Sequence, residues 1–148
     1  MTFVSYAQNF EDVMLWRALR GVDRGFYIDV GANDPTLYSV TKAFYLRGWR
    51  GINLEPTASF FERLVAERPE DTNLRLAAGA GPGMLTLYDV VDTGLSTTDA
   101  EVAERHRNAG FAVTASGVEV RTLDDICAQF APADIHFVKV DVEGTEKD

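Results

Sequence analysis

Cysteine is almost missing from this 148-residue chain: Cys127 is the only one. A single thiol excludes an internal disulfide and suits a reducing compartment. Positive charge is scarce as well. Lys plus Arg is 14 against 23 for Asp plus Glu, a formal net charge of −9. That balance argues against nucleic-acid backbones and anionic membrane surfaces as partners. No apolar run approaches the roughly 20 residues that span a bilayer. The N-terminus lacks the basic-then-apolar order of a secretory signal. Internal repeats, low-complexity tracts and linkers are also lacking. A cytoplasmic chain without membrane insertion is expected. With 46% apolar residues it has enough for one core, and its length suits one domain spanning 1–148.

What is present is a pattern of apolar runs that end in acids. Gly25-Phe26-Tyr27-Ile28-Asp29-Val30 runs into Gly31-Ala32-Asn33, and Gly51-Ile52-Asn53-Leu54 ends on Glu55. A strand stopping in a small-residue turn, followed by a strand ending in an acid, is how α/β folds hold an adenosine nucleoside. The turn admits the ligand to the backbone, and the second acid accepts both ribose hydroxyls.

The remaining pattern fills in an α/β chain. Ser5 and Gln8 have the spacing of a capping box, followed by a helix with Phe10, Val13, Met14 and Leu19 on one face. Helices are expected from about Leu37 to Arg47 and from Pro56-Thr57 to Pro69. Leu74–Ala78 reads as a third strand, Gly79–Gly83 as a hairpin turn, and Met84–Asp89 as an alternating strand. Thr98 with Glu101 is a second capping box. Val118–Arg121 reads as an edge strand, Thr122 as the cap of a helix through Phe130, and Ile135–Val140 as a buried strand. Strands alternating with helices imply a mostly parallel sheet covered on both faces. The last strand has little chain after it, so the sequence is expected to be the N-terminal part of a larger domain, with the rest of a longer polypeptide as partner.

The first turn discriminates between adenosine ligands. A pyrophosphate needs glycines and free N–H groups there. Only Gly31 is a glycine; Pro35 lacks an N–H, and Asp34 would lie near phosphate charges, costing on the order of 4 kcal/mol at ~4 Å and an effective dielectric of ~20. S-adenosylmethionine has no phosphate and carries two positive groups. A methyl donor is therefore preferred over NAD. A Tyr-x-x-x-Lys dyad of the short-chain dehydrogenase kind is also lacking.

Five segments in register resemble the FkbM-type methyltransferases: Ser5–Asp12, Asp29–Asn33, Gly48–Pro56, Thr122–Asp125 and Val138–Glu146. The resemblance implies a class I methyltransferase fold that is Rossmann-like, with sheet order 3-2-1-4 and further strands beyond the fourth. It also implies S-adenosylmethionine as donor, and a hydroxyl of a sugar or glycosylated metabolite as small-molecule or glycan acceptor. A catalytically incomplete fragment that at most binds the donor is the alternative. The chain departs from the family at Asp34-Pro35, where a glycine is common, and in stopping soon after the Asp-Val-Glu-Gly motif.

Within that framework residues 1–24 form an N-terminal helical segment and 25–148 the donor-binding core. Asp29 and Gly31 are assigned to the methionine end of the donor, and Glu55 to the ribose. Asn33 either hydrogen-bonds the donor or adopts a left-handed turn. Gln8 and Asp12 sit on the first helix, which the resemblance places against the donor pocket. Asp141 and Glu143 are candidates to orient or deprotonate the acceptor hydroxyl; acids at a helix N-terminus are the plainer reading. Two acids without a histidine make a weak metal signature, and no metal is assigned. Lys139 is expected to pair with a neighbouring acid. His136 lies at the wrong end of its strand, ~16 Å from Asp141 at ~3.3 Å per residue. Cys127 is expected in the core.

Overall fold

The computed structural model describes residues 2–90, 93 and 95–141. In chain order the first elements are α1 (Glu11–Ala18), β1 (Phe26–Val30), α2 (Lys42–Leu46), β2 (Arg50–Leu54), α3 (Ala58–Glu67) and β3 (Thr72–Leu74). There follow β4 (Ala77–Ala78), β5 (Gly83–Val90), α4 (Ala100–Asn108), β6 (Val113–Arg121), α5 (Leu123–Phe130) and β7 (Phe137–Val140).

The main sheet has the order β3-β2-β1-β7 and is parallel throughout. The chain is thus a mixed α/β protein with a mostly parallel sheet, as a Rossmann-like methyltransferase requires, and β7 takes the fourth place. The alternation of β1 explains its central position. Ile28 and Val30 pack with Ile52, Leu54, Leu76 and Ile126 on one face. Tyr27 packs with Phe44 and Trp49 on the other, where Leu15, Trp16 and Phe137 close the layer. Each such side chain contributes roughly 1.5–3 kcal/mol when fully buried. Gly51 is required by this packing, because a Cβ there would overlap the Tyr27 ring. Helix α5 covers the first face through Ile126, Leu123, Cys127 and Phe130, so Cys127 is a packing residue. It starts as expected, with Thr122 Oγ1 accepting the Asp125 N–H. No helix among the described residues is long and apolar enough to cross a membrane.

Several local expectations fail, each for a physical reason. The Ser5–Gln8 capping box does not form. Helix α1 begins six residues after Ser5, behind Phe10 in a left-handed conformation, and the Ser5 hydroxyl donates to Asp12 instead, at 2.6 Å. The buried stripe of α1 is accordingly Leu15, Trp16 and Leu19, while Phe10 and Met14 are exposed. Helix α2 is only Lys42–Leu46, because Asp34 accepts the N–H groups of Thr36 and Leu37 and holds that stretch in a turn. The expected third strand divides at Arg75-Leu76: β3 joins the main sheet, whereas β4 joins a second one. That second sheet has the order β4-β6-β5, with β6 parallel to β4 and antiparallel to β5. Hence Gly79–Gly83 is no hairpin turn, since β6 lies between the strands it joins, and Val118–Arg121 is part of a central strand. The cap of α4 is Asp99, one residue beyond Thr98, accepting from Glu101 and Val102. Among the described residues, strand β7 is covered on one face only: Val138 and Val140 are exposed, while Phe137 stacks on Tyr27.

Candidate functional site

The C-terminal ends of β1, β2 and β7 and the second sheet enclose a cleft of about 1040 Å³. Of the sequence-derived candidates, Gln8, Gly31, Asn33, Glu55 and Asp141 line it. Asp29 and Asp12 do not. Glu143 lies outside the described residues.

Glu55 is the most firmly built of these groups. Its Oε2 accepts the Asn33 N–H at 2.7 Å and its Oε1 accepts the Thr57 N–H at 3.0 Å. It is 2% exposed. Burial pushes its carboxyl above the usual range, against the pull of those two N–H groups. A carboxylate oxygen can accept more than one hydrogen bond, the capacity that binding a vicinal diol would use.

The turn after β1 explains how Glu55 is presented. Gly31 has φ +73° and Asn33 φ +54°. Asn33 therefore takes the left-handed turn, its amide Nδ2 donating back to the Gly31 carbonyl at 3.1 Å. The N–H groups of Gly31 and Ala32 both go to Leu54 O, that of Asn33 to Glu55, and those of Thr36 and Leu37 to Asp34. Pro35 has none. Five N–H groups of this turn are thus engaged within the protein rather than offered to a pyrophosphate. The charge argument from Asp34 is corrected, however. Arg63 pairs with Asp34 at 2.6 Å, and although burial opposes it, the two N–H bonds and that guanidinium hold the Asp34 carboxyl below its ordinary value. Asp34 is not a free negative charge.

Asp29 lies one layer deeper. It is 1% exposed; its Oδ2 accepts the Thr41 hydroxyl at 2.9 Å, and its Oδ1 lies 3.1 Å from Lys139 Nζ. Cross-strand register puts Lys139 directly beside Asp29. The ammonium donates to the Gly31 carbonyl at 2.8 Å and sits 3.9 Å from Asp141. Lys139 thus pairs with acids as expected, and it, not Asp29, meets the cleft.

Thr41 connects this floor to a buried polar network that the sequence did not reveal. Arg68, fully buried, donates to Thr41 Oγ1, Ser39 Oγ, Tyr27 Oη and the Pro35 carbonyl. It lies 3.5 Å from Asp71. Asp71 in turn accepts from Tyr27 Oη, Gly51 N–H and Asn53 Nδ2. Burial pushes both the Asp71 carboxyl and the Tyr27 phenol upward. The network fixes residues 35–41 and hence the turn's far side.

Asp12 is corrected to a structural position. Its carboxylate is fully buried and accepts from Ser5 Oγ and from the N–H groups of Tyr6, Ala7 and Val13. It pins the segment that carries Gln8 to the cleft. Ala7 also bridges to Tyr38, another lining residue. His136 is likewise structural, its Nδ1 accepting the Phe26 N–H at 3.0 Å.

Sequence reasoning missed the apolar part of the opposite wall. Leu85, Leu87 and Val120 of the second sheet supply an apolar surface. Beside it, Ser96 Oγ donates to Asp89 and meets Thr57 Oγ1 at 3.3 Å. The alternation of β5 marks these residues as half-buried without indicating which cavity they face. Among the described residues, no cluster of three or more His, Cys, Asp or Glu side chains is placed to hold a metal ion.

The geometry is that of an α/β cleft with an anchored acid after β2. No curated protein and no solved structure matches the chain. The family model described as the methyltransferase FkbM domain matches residues 29–148, from the first acid of the cleft floor onward. The chain belongs to the FkbM methyltransferase domain family and is a methyltransferase.

Proposed function

We propose that the protein is a class I methyltransferase that transfers a methyl group from S-adenosylmethionine to a hydroxyl oxygen of a small-molecule or glycan acceptor. The observation carrying this reading is Glu55: a buried carboxylate fixed by two backbone N–H groups at the end of β2, on the wall of a cleft large enough for a nucleoside ligand. The spent N–H groups of the first turn support a donor without phosphates. NAD, the other adenosine ligand, would meet a turn whose Gly31, Ala32, Asn33, Thr36 and Leu37 N–H groups are engaged and whose Pro35 has none, and Arg63 is already paired with Asp34 and Glu67.

S-adenosylmethionine supplies an activated methyl group, so the protein's task is chiefly positioning. Glu55 receives the ribose hydroxyls. Gly31 and Asn33 shape the turn on which the methionine end rests, and Asp29 sets the charge beneath it through Lys139. Asp141, with its side chain 61% exposed at the cleft rim, accepts the acceptor's hydroxyl proton as the oxygen–carbon bond forms and the carbon–sulfur pair returns to sulfur. General-base assistance of this kind is worth roughly 10²–10⁴ in rate.

Melting curves with S-adenosylhomocysteine, and with NAD as control, test the reading. A ligand at ~100 times its Kd adds ~2.7 kcal/mol to the folded state. A rise with S-adenosylhomocysteine alone is expected. A rise with NAD alone would replace the methyl donor by a dinucleotide.

A further inference from the structure

The acceptors suited to the amino group of a methionine-type ligand are the Gly31 carbonyl and the Asp29 carboxylate, and both already face an ammonium. Lys139 Nζ donates to Gly31 O at 2.8 Å and stands 3.1 Å from Asp29 Oδ1. The pairing is imperfect, because Asp29 Oδ1 is buried and receives no directed hydrogen bond. Lys139 reaches the cleft while Asp29 does not, so the ammonium lies between the carboxylate and the cavity. A second anchor is near: Asp141 Oδ2, one residue past the end of the same strand and largely exposed, is 3.9 Å away.

We propose that Lys139 is the specificity-determining residue of the amine subsite: its ammonium holds the acceptors that a ligand's amino group uses, and it yields them by turning toward Asp141. The inference rests on the reading of the cleft as a methyl-donor site. Its physical basis is exchange. A lysine ammonium is a compact charge on a flexible stem, so replacing it at Gly31 and Asp29 by a second ammonium trades one charge-assisted contact for another. The ligand's amine then adds little net affinity in the native protein. With the lysine charge removed, Gly31 O and Asp29 lose their cation, and the same amine supplies it.

The experiment compares S-adenosylhomocysteine with its deamino analogue, which keeps the carboxylate and lacks only the amine, by calorimetry on the native chain and on Lys139→Met. In the native chain the two ligands are expected to bind within about threefold of each other. In the variant their ratio is expected to widen by about tenfold or more, the size of an ordinary charge-assisted contact. A ratio that stays constant or narrows in Lys139→Met overturns the proposal, as does equal weakening of both ligands, which would make Lys139 a carboxylate ligand. Should the variant fail to melt cooperatively, the native chain decides: a preference for the amine-bearing ligand above about threefold refutes the exchange. S-adenosylhomocysteine failing to bind the native chain at all would overturn the methyl-donor reading itself, an outcome distinct from a bound ligand indifferent to Lys139.

Discussion

Glu55 Oε2 accepts the backbone N–H of Asn33 at 2.7 Å. One short bond thereby fastens the acid after the second strand to the turn after the first, joining two sides of the cleft.

Glu55→Gln tests that coupling. The amide has one acceptor oxygen for two N–H groups, so one of them faces an NH₂. Affinity for S-adenosylhomocysteine is expected to fall by about tenfold or more, in line with losing a charge-assisted contact. Unchanged affinity by calorimetry would remove Glu55 from the ribose.

The buried acids give the chain a pH dependence of definite sign. Burial raises the carboxyls of Glu55 and Asp71 above their ordinary values of 4.5 and 3.8. The folded state therefore holds protons that the unfolded state releases, and these two groups lower stability as pH rises from their ordinary values through their raised ones. Asp34 acts oppositely: its carboxyl is held down, so its contribution is present above 3.8 and is lost as pH falls through its depressed value. Urea denaturation between about pH 4.5 and 7 is expected to show a smaller loss for Glu55→Gln than for the native chain. Parallel curves would contradict the assignment.

Arg68→Met is expected to cost about 3–5 kcal/mol, because it leaves Asp71 buried without its cation. Adding Asp71→Asn should recover part of that loss, since the two side chains act as one unit. Strictly additive effects in denaturant titrations would show that the 3.5 Å pair does not couple them.

Asp12→Ala removes three hydrogen bonds from the segment carrying Gln8, those of Ser5, Tyr6 and Ala7, and one from Val13 in α1. A destabilisation of about 2–3 kcal/mol is expected, from unpaired buried donors. Hydrogen exchange at Tyr6 and Ala7 should quicken. Native protection at both amides would sink this placement.

The main sheet was legible because its strands carry dense apolar alternation and end in acids or turns: Phe26–Val30 and Ile52–Glu55 could be read almost to the residue. The second sheet was not. Ala77-Ala78 is too short to announce a break from Leu74, and the interposition of β6 is a tertiary choice that no local pattern encodes. Caps erred because nearby carboxylates compete: Asp12 takes the Ser5 hydroxyl itself, and Asp99 takes the Glu101 N–H that Thr98 was expected to cap. In the cleft, the position of Glu55 on the wall was legible from the strand that leads into it. Arg68 was not, because a buried arginine differs from a surface one only in the partners that folding brings to it.

The cleft floor joins residues far apart in the chain: 108 positions separate Gly31 from Lys139. At ~5–20 residues per second of synthesis, Lys139 is added roughly 5–20 s after the first turn. During that interval Asp29 has no neighbouring ammonium, and the first strand has only its β2 side available for pairing. Completion of the cleft floor is thus a late event in the birth of the chain, and a nascent polypeptide paused before β7 would display Glu55 well before the Lys139 ammonium.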